Sequence, residues 1–104
     1  MKHFVIRYRF ANGTPEDWHA EIEHFIAALE NDPSLKGRIA YRTMRVGDGP
    51  EYMHLATAFD DAAAKELGQR AYFEHYTAAC EGVAADADVT VTPLTIVAET
   101  ALRV

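Results

Sequence analysis

The sequence predicts an α+β domain, a four-stranded antiparallel sheet with helices over one of its faces. Three observations predict it. His3–Phe10 alternates with period two, with Phe4, Ile6, Tyr8 and Phe10 on one face and His3, Val5, Arg7 and Arg9 on the other. Such alternation marks a half-buried strand. Residues 14–32 carry an apolar stripe at helical spacing, between a capping signal and a proline. The remaining periodic segments follow in the order strand, strand, helix, strand.

Each element has its own local cause. Asn12-Gly13 is turn chemistry after the first strand. Thr14 then caps a helix, Pro15 takes its first position and Asp17 stands where a capping box closes. Trp18, Ile22, Phe25, Ile26 and Leu29 form the buried stripe, and Pro33 stops the helix. Lys36 to Val46 reads as the second strand and Gly47-Asp48-Gly49-Pro50 as a hairpin loop. Tyr52–Phe59 reads as the third strand. Asp60 or Asp61 caps a helical region over 61–84, which Gly68 can split. Within it Phe73, Tyr76, Cys80 and Val83 keep helical spacing. Val89–Glu99 is the last strand, with a bend expected at Pro93. The order is β-α-β-β-α-β, the ferredoxin-like arrangement, as one domain over residues 1–104.

Composition excludes several classes. Of 104 residues, 49% are hydrophobic and 25% charged, an ordinary globular mix. Sixteen acids against ten bases give a net charge of −6, a poor match for a nucleic-acid binder. No apolar run approaches the roughly 18 residues of a membrane span. The N-terminus reaches Arg7 after three apolar residues, too few for a signal-peptide core. Cys80 stands alone and suits a reducing compartment, so the expected location is the cytoplasm and the sequon Asn12-Gly13-Thr14 carries no glycan.

Helices cover one face of a four-stranded sheet. Phe4, Ile6, Tyr8, Met53, Leu55 and Phe59 are expected beneath them, and His3, Val5, Arg7, Arg9, His54 and Ala56 on the open face. The second strand adds either Arg38, Ala40 and Arg42 or Ile39, Tyr41 and Arg45 to that open face; Thr90 and Thr92 join it. Arg7, Arg9, Arg42 and His54 there admit three readings: a solvated face, a two-fold interface, or an anion-binding site.

The segment Phe59-Asp60-Asp61-Ala62-Ala63-Ala64-Lys65-Glu66-Leu67, followed by Gln69-Arg70-Ala71-Tyr72-Phe73, carries a family resemblance. With its length and element order, the chain resembles the dimeric α+β barrel superfamily, and within it the antibiotic biosynthesis monooxygenase-like family. In that family a strand ends in an aromatic residue, an acid-Ala helix start follows, then a His-Leu pair and, after a short break, a His-Phe pair. Leu67 and Phe73 match the apolar members, whereas Glu66 and Tyr72 stand where histidines are frequent. The resemblance implies a homodimer whose two sheets close a barrel, with a pocket in each subunit between helices and sheet. Members of that family with known activity oxygenate quinols or aromatic polyketides without metal or flavin, others degrade haem, and related barrels cyclise polyketides, isomerise lactones or have no demonstrated activity. The activity the resemblance points to first is oxygenation of a small aromatic or quinol with no cofactor. The Asn, Trp and His set of haem-degrading and some oxygenating members is absent, since Trp18 lies in the first helix and Asn12 in a turn, which counts against haem degradation and also against a specific oxygenase assignment.

Cofactor-free oxygenation needs a deprotonated phenol sheltered from water, because the substrate supplies the electrons. Tyr72, His75 and Tyr76 lie within five residues of one helix and are the candidate catalytic group, with His75 as base and Tyr72 orienting a phenolate. Tyr8, Trp18 and Phe73 are the candidate substrate-binding residues. Aromatics at this spacing also suit a packed core, and the competing function is a non-catalytic homodimer that binds a small ligand. Glu21-Ile22-Glu23-His24 has Glu-x-x-His spacing but no second copy, so no metal site is predicted; His19 and His24 read as a solvated helix face.

Overall fold

The computed structural model describes residues 1–101. They form β1 (Lys2–Phe10), α1 (Pro15–Glu30), β2 (Ile39–Arg45), β3 (Glu51–Ala58), α2 (Asp61–Gly68), α3 (Ala71–Val83) and β4 (Ala84–Leu94). The strands make one antiparallel sheet in the order β2-β3-β1-β4. This is the expected ferredoxin-like architecture, with the second helical region divided after Gly68.

The helix starts follow the local chemistry. The Thr14 hydroxyl accepts from the Asp17 N–H at 3.2 Å, and Pro15 opens α1. Asp60 caps α2 by accepting from the Ala63 N–H at 2.8 Å. Trp18, Ile22, Phe25 and Leu29 are buried, as the stripe requires. Burying an aliphatic side chain such as Ile22 contributes about 1.5–3 kcal/mol. Tyr76 and Cys80 face inward from α3.

Register corrects the expected faces. Tyr8 pairs with Tyr52, Ile6 with His54 and Phe4 with Ala56. Residues directly opposite share a face. The helix face of β3 is therefore Tyr52, His54, Ala56 and Ala58, not Met53, Leu55 and Phe59. His54 is 0% exposed, and Phe59 lies beyond the strand at 57%. Both alternations of β3 carry apolar side chains, so period alone leaves its face open, and pairing with β1 selects it. Pairing likewise turns Ile39, Tyr41, Thr43 and Arg45 of β2 toward the helices and leaves Ala40 and Arg42 on the open face. Arg7, Arg9, Thr90 and Thr92 lie on that open face as expected.

The last strand begins at Ala84, directly after α3, and ends at Leu94, so both boundaries move from the expected Val89 and Glu99. Phe10 pairs with Ala84 and Tyr8 with Val89, a bulge that breaks the period. Asp86 and Ala87 absorb it in the left-handed region, at φ 56° and 53°. Pro93 is tolerated because β4 is an edge strand. His19 is half-buried rather than solvated, its Nε2 lying 2.7 Å from the Tyr52 hydroxyl.

Candidate functional site

The helix face of the sheet collects aromatic side chains with polar tips. Tyr8 on β1, Tyr41 on β2, His54 on β3, Trp18 on α1 and Tyr76 on α3 all point inward and meet. Trp18 Nε1–H donates to the Tyr8 hydroxyl at 2.7 Å. That hydroxyl lies 2.8 Å from His54 Nε2. On the other side of the ring, His54 Nδ1 is 2.8 Å from the Tyr41 hydroxyl and 3.1 Å from that of Tyr76. The two hydroxyls are 3.3 Å apart. Tyr8 stacks on Tyr52 with centroids 5.4 Å apart, and Tyr76 stacks on Phe25 at 4.0 Å.

Burial sets the electrostatics. It pushes the Tyr8, Tyr41 and Tyr76 phenols well above their ordinary range, so all three remain hydroxyls. Burial also lowers His54 to about 4, which keeps the imidazole neutral at neutral pH. The Cys80 thiol is raised to about 12 by burial first and by Glu81 second. It is therefore a poor nucleophile.

A cavity of about 340 Å³ opens between the sheet and helices α2 and α3. Its walls are apolar, with Phe4, Ile6, Ile39, Leu67, Phe73 and Val89 among them. Tyr41 and Tyr76 line it too, so the His54 network ends at the cavity wall. Glu81, Thr57 and Thr77 are further polar lining residues. Among the described residues, no group of three or more His, Cys, Asp or Glu side chains is arranged to hold a metal ion. Among the described residues, no helix is long and apolar enough to cross a membrane.

The structure divides the expected catalytic group. Tyr76 joins His54 at the cavity. His75 is exposed, its Nε2 3.4 Å from Glu21 Oε2 across the α1–α3 contact. Tyr72 donates to Asp32 Oδ2 at 2.8 Å, outside the cavity lining. There it belongs to a cluster in which Arg70 pairs with Asp32 at 2.8 Å and Glu66 at 2.7 Å. Arg38 adds a pair to Glu66 at 3.3 Å, and the Ser34 hydroxyl donates to the same carboxylate. The Arg70 hydrogen bond, then that of Tyr72, pulls Asp32 down to about 2. Glu66 and Tyr72 thus tie the loop after α1 to the α2–α3 junction. Of the expected substrate-binding residues, Phe73 lines the cavity, whereas Tyr8 and Trp18 stand behind it in the network. His54 leaves the expected open-face group for the centre of the site. Tyr41 was not singled out from sequence; the available signal is an inward face of Ile39 and Tyr41 beside a strand bearing Tyr52 and His54.

The open face holds a groove of about 460 Å³ lined by Arg7 and Arg9, but also by Glu51, Asp86 and Asp88. Arg42 lies outside this groove. Carboxylates thus share the open face with Arg7 and Arg9.

No family model matches the chain, and no curated protein matches it. Solved structures do. SnoaB from Streptomyces nogalater, a cofactor-independent oxygenase, is 17% identical with TM-score 0.72, over 97% of this chain and 95% of its own. An antibiotic biosynthesis monooxygenase is 15% identical with TM-score 0.66, over 94% of this chain and 100% of its own. A dimeric ferredoxin-like protein of unknown function from Jannaschia sp. CCS1 is 18% identical with TM-score 0.64, over 92% of this chain and 100% of its own. At such identities the likeness establishes architecture. The chain therefore shares the ferredoxin-like fold of these structures, the cofactor-independent oxygenase and the antibiotic biosynthesis monooxygenase among them.

Proposed function

We propose that the protein is a cofactor-independent monooxygenase of a small phenolic or quinol substrate bound in the cavity between the sheet and α2/α3. The observation that carries this reading is the pair of tyrosine hydroxyls, Tyr41 and Tyr76, set by His54 at the wall of an otherwise apolar cavity. A cavity of this size suits one small aromatic molecule.

The chemistry balances without a cofactor. A phenolate passes one electron to O2, the two radicals join at a ring carbon ortho or para to the phenolate oxygen that still bears hydrogen, and the peroxide takes up one proton, matching the one released when the phenol ionised. The resulting hydroperoxide loses water across its C–H and O–O bonds and leaves a quinone. One oxygen atom enters the product, the other departs as water, and the substrate supplies every electron. The protein's part is to stabilise the phenolate and keep bulk water away from the intermediates. Tyr41 and Tyr76 fill the first role because burial keeps them protonated, and the apolar walls fill the second.

The same reading includes a homodimer formed through the open sheet face. That face carries Val5, Met53 and Leu55 beside Arg7 and Arg9, with Glu51, Asp86 and Asp88 at one end. Apolar side chains with both signs of charge suit self-complementary pairing about a two-fold axis.

Oxygen uptake by metal-stripped protein, offered a panel of quinols and polyhydroxylated aromatics, tests the reading. Saturable uptake that falls at least tenfold in Tyr41→Phe or Tyr76→Phe is expected. Uptake no greater than the autoxidation blank, with ligands still bound, would assign the cavity to a non-catalytic binding module instead.

A further inference from the structure

The hydrogen-bond network has a direction. The Trp18 indole N–H is a donor only. It occupies the Tyr8 oxygen at 2.7 Å, so the Tyr8 O–H must find its own acceptor elsewhere. Among the described residues, His54 Nε2, at 2.8 Å, is the one group in reach that can accept it. An N–H at Nε2 would leave a buried hydroxyl hydrogen unpaired, a costly arrangement. Nε2 therefore accepts, and the proton of the neutral imidazole sits on Nδ1. That N–H then donates to Tyr41 and Tyr76, at 2.8 and 3.1 Å.

The consequence reaches the cavity. Neither tyrosine can donate to a nitrogen that already carries a proton. Between them the two hydroxyls hold two hydrogens, and their mutual contact at 3.3 Å uses one. The other has no partner among the described residues and is left for an acceptor in the cavity that both residues line.

We propose that Trp18 and Tyr8 are positioning residues that hold His54 as its Nδ1–H tautomer, so that the Tyr41–Tyr76 wall donates a hydrogen bond and selects an aromatic ligand bearing an acceptor oxygen, a phenolate or a conjugated carbonyl. This rests on the cavity being the ligand site of the proposed function and goes beyond it in assigning the polarity of that site. Glu81, the one carboxylate among the described lining residues, opposes an anion and discriminates further toward ligands whose charge lies at the tyrosine end.

Two measurements on the intact protein test it. Nitrogen-15 correlation spectra report the tautomer of His54, whose signals are assigned by their absence from the His54→Gln spectrum. The expected result is a protonated Nδ1 and a bare Nε2 in wild type, with the preference lost in Tyr8→Phe. The second probe is p-nitrophenol, whose ionisation is read from its absorbance. Bound to wild type, its pKa is expected to fall by about one unit, because hydrogen bonds to the charged form favour it. The fall should shrink in Tyr8→Phe, while the same variant keeps its near-ultraviolet circular dichroism. An Nε2–H tautomer in wild type overturns the proposal. So does a bound probe whose pKa is unchanged or raised, or a probe that does not bind at millimolar concentration. Loss of oxygen uptake as a property, with tautomer and probe behaving as expected, would overturn the oxygenase reading and leave this one standing.

Discussion

Tyr8 and His54 form a diagonal cross-strand pair, since Tyr8 lies opposite Tyr52 and His54 opposite Ile6, and their polar atoms are 2.8 Å apart. The pair links the indole of α1 to the cavity beneath α3. It also places a titratable ring where water does not reach, with 0% exposure.

That burial makes an acid-sensitivity prediction. The folded pKa of about 4 lies below the ordinary 6.5, so the unfolded chain takes the proton first. Stability from this group is complete above pH 6.5 and is lost as pH falls toward 4, to a total of about 3 kcal/mol. Urea denaturation at pH 7 and 4.5 checks it. His54→Gln should be less stable at pH 7 and should lose less on acidification. Equal acid losses in the two proteins would remove His54 as the cause.

Tyrosines on α3 should separate by role. Tyr76→Phe removes a hydroxyl at the cavity wall and should lower oxygen uptake at least tenfold with a small change in Tm. Tyr72→Phe removes a hydroxyl bound to Asp32 and should leave uptake within twofold of wild type while lowering Tm by about 5 °C. The reverse pattern would place the chemistry beside Tyr72.

Asp32 gives a second, lower pH window. Its folded pKa of about 2 lies below the ordinary 3.8, so its contribution is complete above pH 4 and disappears as pH falls toward 2. Arg70→Met should flatten that loss and reduce the salt sensitivity of unfolding, because it removes the partner of both Asp32 and Glu66. A wild-type slope between pH 4 and 2 in Arg70→Met would show that the cluster does not depend on the guanidinium.

The open sheet face yields an assembly prediction. Sedimentation equilibrium of the wild type should give twice the 11.6 kDa chain mass. Leu55→Asp places a charge amid Val5 and Arg42 on that face and should shift the protein to monomer at micromolar concentration. A monomeric wild type, or a variant as dimeric as its parent, would move the interface elsewhere.

Element order, the cap at Thr14, a second cap at Asp60 or Asp61, the buried stripe of α1 and the break near Gly68 are determined by the sequence itself. Each depends on residues within a few positions of one another, whose spacing and turn chemistry are read along the chain. The inward face of β3 and the early start of β4 are not. Two apolar alternations compete in β3, and the bulge at Asp86 and Ala87 hides the period of β4; pairing with β1 decides both. The site follows the same division. Tyr76, Tyr8, Trp18 and His54 all stand out as residues, but a helical neighbourhood groups Tyr76 with Tyr72 and His75. Only the tertiary structure gathers it with His54 and Tyr41, from three elements up to 35 positions apart, because buried polar atoms must satisfy one another across the core.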